Sequence, residues 1–289
     1  MKLVNLTETL ADRFGDIEAV RITCEAGFDG IDFSMFRMNN DDNDILNSAD
    51  CKKHVAELLN IANSYGVTFE QAHAPFPTAR ETDLVYSEKM KDILKRSLEI
   101  AGMLDAKICV VHPVQFSSNQ FERNMELYSK LEPYAADYGV KIAVENMWGW
   151  DPVAEKIVPN VCSVAEDFNR YVDALNPEHF TACLDLGHCG LVGDNAGSMI
   201  RQMGSRIGAL HIHDNDNFSD SHSLPYLAKM DWDDILRALG EIDYQGNFTY
   251  EVGDFLRAFP DDVMLSCEKF MHDLGRSMMR KIEEYRIKK

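Results

Sequence analysis

Carboxylates and imidazoles recur in this chain immediately after short apolar runs. His73 follows the run 67–72, His112 follows Val110 and Val111, and Glu145 follows Ala143 and Val144. Asp185 and His188 follow 182–184, His211 and His213 fall within 209–214, and Glu251 follows Thr249 and Tyr250. One histidine ending an apolar run is ordinarily a satisfied polar group. A carboxylate there is harder to dismiss, because an unpaired charge near a core is costly. Six runs that end alike describe a divalent-cation site. Carboxylates mixed with neutral imidazoles suit Mn, Zn, Co or Fe, whereas thiolate-rich sites select softer ions.

The runs that would position these groups lie at 28–33, 67–71, 108–111, 142–144, 180–184, 207–212 and 248–250, with a weaker one at 4–9. They are continuous rather than alternating in polarity, which is the pattern of parallel strands buried on both faces. Helical spacing of apolar residues occupies the intervals, roughly 17–27, 48–65, 85–104, 119–138, 162–174, 196–204, 231–240 and 261–286. Asp231 is placed to cap the seventh, whose apolar face is Trp232, Ile235, Leu236 and Leu239. Eight unbroken strand and helix units predict an α/β fold, one (β/α)8 TIM barrel spanning 1–289 as a single domain. In such a barrel the loops after the strands gather at one end, so residues far apart in sequence meet there. The Asn- and Asp-rich stretch 39–50 reads as the loop after the second strand. No glycine-rich dinucleotide or phosphate-binding loop occurs.

Composition narrows the partners. The formal charge of −19 repels phosphate backbones and anionic lipid, which argues against duplex DNA and membrane surfaces. The seven cysteines are odd in number and show no CxxC spacing, so they read as reduced, mostly core-packed thiols of a cytoplasmic protein. Cys183 shares strand parity with Asp185 and is expected inside the barrel as a small hydrophobe, and Cys189 follows His188 without ligand spacing. The first residues lack an apolar signal core, and no apolar stretch is long enough to span a bilayer.

The motifs Val111-His112-Pro113, Val144-Glu145-Asn146, Leu184-Asp185-Leu186-Gly187-His188, His211-Ile212-His213-Asp214 and Asp220-Ser221-His222 together resemble the xylose-isomerase-like barrel superfamily. The resemblance runs from the segment 27–32 to the segment 246–251. It implies a metal-dependent sugar or sugar phosphate isomerase or epimerase working through an enediolate. By similarity to its ketose 3-epimerases, Glu145, Asp185, His211 and Glu251 would hold one divalent metal, Mn first, with Zn or Co in second place. Glu145 and Glu251 would also be the acid and base pair. His73, His112, His188 and Trp148 would contact the sugar, and His213 would shape the pocket. Similarity to the endonuclease IV-type members implies instead a multinuclear site that adds His73, His112, His188, Asp220 and His222 as ligands. That reading, a phosphodiesterase, conflicts with the net charge and with the acidic segment 39–44. The same residues would also serve a keto-glycoside lyase or a non-catalytic metal and sugar-binding protein. Trp148, Trp150, Phe76 and Phe116 lie in loops where a ring could cover a sugar face. Arg80 is either a phosphate receptor or a surface salt-bridge partner. A homo-oligomer is expected, with 264–285 as a candidate surface.

Overall fold

The computed structural model describes residues 1–287. Eight parallel strands form the barrel: β1 (Leu3–Leu6), β2 (Gly30–Ser34), β3 (Thr68–His73), β4 (Ile108–Val110), β5 (Lys141–Glu145), β8 (Phe180–Asp185), β9 (Ile207–His211) and β10 (Phe248–Tyr250). They pair in the order β10-β1-β2-β3-β4-β5-β8-β9. The ring closes where Ile212 bridges Tyr250 in parallel. There the Ile212 N–H donates to the Thr249 carbonyl at 2.9 Å, and the Glu251 N–H donates to the Ile212 carbonyl at 3.1 Å. The expected barrel is therefore present, with no free sheet edge to protect.

The long outer helices are α2 (Asp16–Ala26), α3 (Cys51–Tyr65), α4 (Leu84–Met103), α5 (Gln120–Tyr138), α6 (Ala165–Ala174), α8 (Ala196–Met203), α9 (Trp232–Glu241) and α11 (Met264–Ile287). Their ends follow local chemistry. The Asp83, Asn195 and Asp231 side chains accept the backbone N–H three residues on and so cap α4, α8 and α9. Helices α3 and α5 stop at Gly66 and Gly139, whose φ of 72° and 66° is left-handed and easiest for glycine.

Strand parity carries the residues of interest inward. Val110, Ala143, Cys183 and Ala209 form one small buried cluster inside the barrel. Two residues beyond each, on the same face, stand His112, Glu145, Asp185 and His211. Cys183 thus fills the interior as expected, and all seven cysteines are free and buried. On the outer face of β1, Leu3 packs against α11 so closely that a Cβ at Gly275 would lie 2.6 Å from Leu3 Cδ1. Asn5 has the same parity and donates through Nδ2 to both Glu268 oxygens, at 3.1 and 2.9 Å. Glu268 is fully buried on α11, and burial pushes its carboxyl up to about 8 while Asn5 pulls it down.

Several elements differ from the sequence reading. The first strand ends at Leu6 because helix α1 (Glu8–Phe14) begins at once. Two more short helices, α7 (Leu186–Leu191) and α10 (Gly253–Arg257), start directly after β8 and β10. Trp148 and Trp150 are not in an irregular loop. They belong to an antiparallel hairpin, β6 (Trp148–Asp151) and β7 (Lys156–Pro159), in which Trp148 faces Pro159 and Trp150 faces Ile157. This hairpin stands outside the strand and helix period, so that period could not announce it. Among the described residues no helix is long and apolar enough to cross a membrane.

Candidate metal centre

Glu145, Asp185, His211 and Glu251 converge at the strand ends, each offering one ligand-type atom within 4.8 Å of the others. All four are buried. His211 Nδ1 lies 3.0 Å from Glu145 Oε1 and 3.0 Å from Glu251 Oε2, so β9 presents its ring between carboxylates from β5 and β10. Around this group lie overlapping trios: His73 with His112 and Glu145, His73 with His211 and Glu251, Asp185 with His188 and His213, and His213 with Asp220 and His222. All nine positions named in the sequence reading are therefore brought together. His213 joins them as well. Its Nε2 sits 3.0 and 3.1 Å from the two Asp185 oxygens, and its ring stacks on His222 at 4.1 Å. It belongs to the cluster rather than merely shaping the pocket. The HxH spacing, which puts both rings on one face of an extended chain, was the signal for it.

Tautomers test whether the donor set fits a cation. His73 Nδ1 lies 2.9 Å from the Ala74 carbonyl, His188 Nδ1 2.7 Å from the Asn146 carbonyl, and His222 Nδ1 2.9 Å from the Glu251 carbonyl. A carbonyl only accepts, so each Nδ1 carries a hydrogen. Each Nε2 then faces the carboxylates: His73 Nε2 lies 3.5 Å from Glu145 Oε2, and the Nε2 atoms of His188 and His222 each lie 3.4 Å from Asp220 Oδ2. Fixing the outer nitrogen so that the inner one is turned toward the centre is how metal-binding histidines are arranged. Four buried atoms of the cluster, His73 Nε2, Glu145 Oε2, His213 Nδ1 and Asp220 Oδ1, have no hydrogen-bond partner. Glu145 Oε2 is only 2.8 Å from His112 Nε2, but proximity without alignment leaves it unsatisfied. Orphaned donors of N and O type around shared carboxylates fit a divalent cation.

Without a cation, protons supply the positive charge. Burial pushes the Glu145 carboxyl up, but His211 and His112 hold it well below the usual range. Glu251 and Asp220 are likewise held low against burial, the first by His211 and His222, the second by His188 and His222. Burial lowers His222, yet Asp220 and Glu251 lift it to about 10. His188 also rises well above its ordinary value, because Asp185 and Asp220 outweigh burial. His112 moves the other way: burial, aided by His73 and His188, outweighs Glu145 and takes the ring below its ordinary value.

Above the cluster opens a cavity of about 310 Å³ whose lining includes His112, Glu145, Trp148, His188, Asp220, His222 and Glu251. Phe76 and Trp150 also line it, and the Phe76 ring stacks on His112 at 4.6 Å. Trp148 Nε1–H donates to Asp220 Oδ2 at 3.0 Å. His73, expected to contact a sugar, is buried behind Phe76 and His112 and does not line the cavity. Phe116 does not line it either; it lies beneath Arg123, 5.2 Å away, in a larger groove between α4 and α5. Arg80 borders that same groove with its guanidinium 4.0 Å over the Tyr86 ring, so it faces no group of the cluster. Sequence reasoning missed Asp32 and Gln71, which lie inside the barrel against His211. Their signal was a polar residue within or ending an apolar run.

The family described as xylose isomerase-like TIM barrel matches residues 20–263. A D-psicose 3-epimerase of Enterocloster bolteae is 32% identical over 210 residues, covering 68% of this chain and 65% of that one. Among solved structures, a D-tagatose 3-epimerase-like protein superposes with a TM-score of 0.73 at 20% identity, covering 97% of this chain and 99% of that chain. A D-psicose 3-epimerase crystallised in the presence of D-fructose gives 0.72 at 18% identity, with 96% and 99% covered. At these identities the two superpositions show a shared fold.

Proposed function

The chain belongs to the xylose isomerase-like TIM barrel family, and on that footing we propose that it is a divalent-metal-dependent isomerase or epimerase of an uncharged sugar. One observation carries this reading. Glu145 and Glu251 approach His211 Nδ1 from different strands at the same 3.0 Å, and both line one cavity. A pair of carboxylates so placed can address a bound sugar from two directions, one removing a proton beside the carbonyl and the other returning it. Return to the opposite face of the same carbon gives the epimer, and return by the same group to the neighbouring carbon gives the isomer. A relative named as a D-psicose 3-epimerase favours the epimer.

Glu145, Asp185, His211 and Glu251 would hold the ion, with Mn the first candidate and Zn or Co next. Such an ion supplies Lewis-acid stabilisation of the negative charge that develops on two adjacent sugar oxygens. His188, fixed through Nδ1 to the Asn146 carbonyl, turns Nε2 into the cavity as a sugar contact. Phe76, Trp148 and Trp150 supply apolar faces that shed water from the reacting carbons. Among the described residues no lysine or arginine lines the cavity. A phosphate there would meet buried carboxylates with no lysine or arginine beside it, which supports a neutral sugar over a sugar phosphate or a nucleic acid backbone.

The test is metal-dependent exchange of a carbon-bound substrate hydrogen with solvent, using free ketoses. Glu145→Gln and Glu251→Gln, each shown to fold and retain metal, should slow exchange on the order of 10²–10⁴-fold, unequally for forward and reverse substrates. Unchanged exchange in both metal-loaded variants would rule out the paired-glutamate assignment. Impairment of one alone would favour a single-base isomerase or a keto-glycoside lyase, which product analysis separates.

A further inference from the structure

His211 differs from the other histidines of the cluster. In His73, His188 and His222 Nδ1 is fixed by a backbone carbonyl and Nε2 faces a carboxylate. In His211 the roles are reversed: Nδ1 faces Glu145 and Glu251, while Nε2 points down into the barrel toward Gln71 and Asp32. Gln71 Nε2 lies 2.9 Å from His211 Nε2 and 2.6 Å from Asp32 Oδ2. Asp32 Oδ2 is itself 3.6 Å from His211 Nε2, and Asp32 Oδ1 has no hydrogen-bond partner. Asp32, Gln71 and His211 are all essentially inaccessible to solvent.

We propose that Asp32 is a positioning residue for the ion site: it accepts the Nε2 hydrogen of His211 and thereby turns the Nδ1 lone pair toward the cation. This inference rests on the ion-binding reading above. An amide N–H of Gln71 directed at Nε2 fits a lone pair there, with the hydrogen on Nδ1 and donated to Glu145 Oε1 at 3.0 Å. Giving Nδ1 to a cation moves that hydrogen to Nε2, where it needs an acceptor. The Gln71 nitrogen cannot accept, and Asp32 Oδ2, 3.6 Å from Nε2, is the carboxylate oxygen that a small closure would bring onto that hydrogen. Gln71 then holds Asp32 in place through the 2.6 Å bond. A carboxylate behind a metal-bound imidazole raises its basicity and fixes its ring, and losing one typically costs roughly 10–100-fold in metal affinity. Asp32 does not line the cavity, so it acts on substrate only through His211.

Zinc is the probe, since it is diamagnetic and redox-silent. Chelator competition on the full chain should show one binding step weakened roughly 10–100-fold in Asp32→Asn. The double variant Asp32→Asn with Gln71→Glu, which returns a carboxylate beside Nε2, should recover most of that loss. In ¹⁵N-histidine spectra of zinc-loaded wild type, His211 should show a liganded Nδ1 and a protonated, slowly exchanging Nε2. This last measurement needs no variant and holds even if Asp32→Asn fails to fold. A liganded or unprotonated Nε2, or a folded Asp32→Asn with unchanged affinity at every step, would overturn the assignment alone. Wild type that takes up no zinc would overturn the ion site and this assignment with it.

Discussion

Glu268 should make the stability of this barrel fall as pH rises through neutrality. The carboxyl is fully buried between β1 and α11, with Asn5 as its hydrogen-bonding partner. Burial lifts it from an ordinary 4.5 to about 8. Because the folded value is the higher one, the folded chain retains a proton that the unfolded chain has released between those two pH values. Stability is therefore full below about 4.5, declines with pH across that window, and levels off above about 8. The slope is about 1.4 kcal/mol per pH unit, and the whole window amounts to about 5 kcal/mol as a ceiling. Glu268→Gln removes the titration while leaving an oxygen for Asn5 Nδ2. Denaturant unfolding of chelated wild type and variant from pH 5 to 9 isolates the contribution, since the histidine cluster titrates in both and cancels in the difference. The variant should gain on wild type steadily from pH 5 to 8. Any cost of its amide against Asn5 would appear as a constant offset. Parallel stability profiles, or a variant that loses ground as pH rises, would refute the reasoning.

Further expectations concern the cluster. Asp185→Asn and His211→Ala should each lower divalent metal content while preserving the fold, checked by elemental analysis after chelation and reconstitution; unchanged content in both would contradict the assigned ligands. Metal binding near pH 7 should release protons, because Asp220 and Glu251 lift His222 to about 10 and Asp185 and Asp220 lift His188 well above its ordinary value, and a cation held by Glu251 and Asp185 cancels charge that retains those protons. Calorimetric heats should accordingly vary with the ionisation enthalpy of the buffer, and affinity should weaken as pH falls. Gly187→Ala would place a Cβ 2.0 Å from His213 Cε1. It should cost about 1–3 kcal/mol of stability and displace His213 from Asp185, seen as a shifted ¹⁵N resonance of that ring.

Much of this architecture was legible because two periods coincide in the sequence. Continuous apolar runs marked the strands, and the carboxylate or imidazole at the end of each run marked the candidate site: Glu145 after Ala143 and Val144, Asp185 after 182–184, His211 within 209–214. What escaped reading lacked such a period. The hairpin that carries Trp148 and Trp150 pairs only with itself, and α1, α7 and α10 are too short for a helical stripe to register. Asp32 was absorbed into its apolar run because a single carboxylate within a strand says nothing of its partner on another. His73 illustrates the opposite limit. Its place at a strand end was read correctly, but which ring lies in front of it depends on the packing of Phe76 and His112, contacts no spacing encodes.

The hydrogen bond from Trp148 to Asp220 ties the hairpin to the cluster, because the same Asp220 oxygen also faces His188 and His222. Whatever draws that oxygen inward loosens its hold on the indole, and whatever presses the indole onto its partner steadies the carboxylate. If a cation fills the centre and a sugar the mouth, as proposed, their occupancies are thermodynamically linked wherever they change Asp220 differently. Linkage of this kind is reciprocal: the factor by which a cation alters sugar affinity is the factor by which sugar alters cation affinity. A protein wired this way would sense scarcity of either ligand through the binding curve of the other.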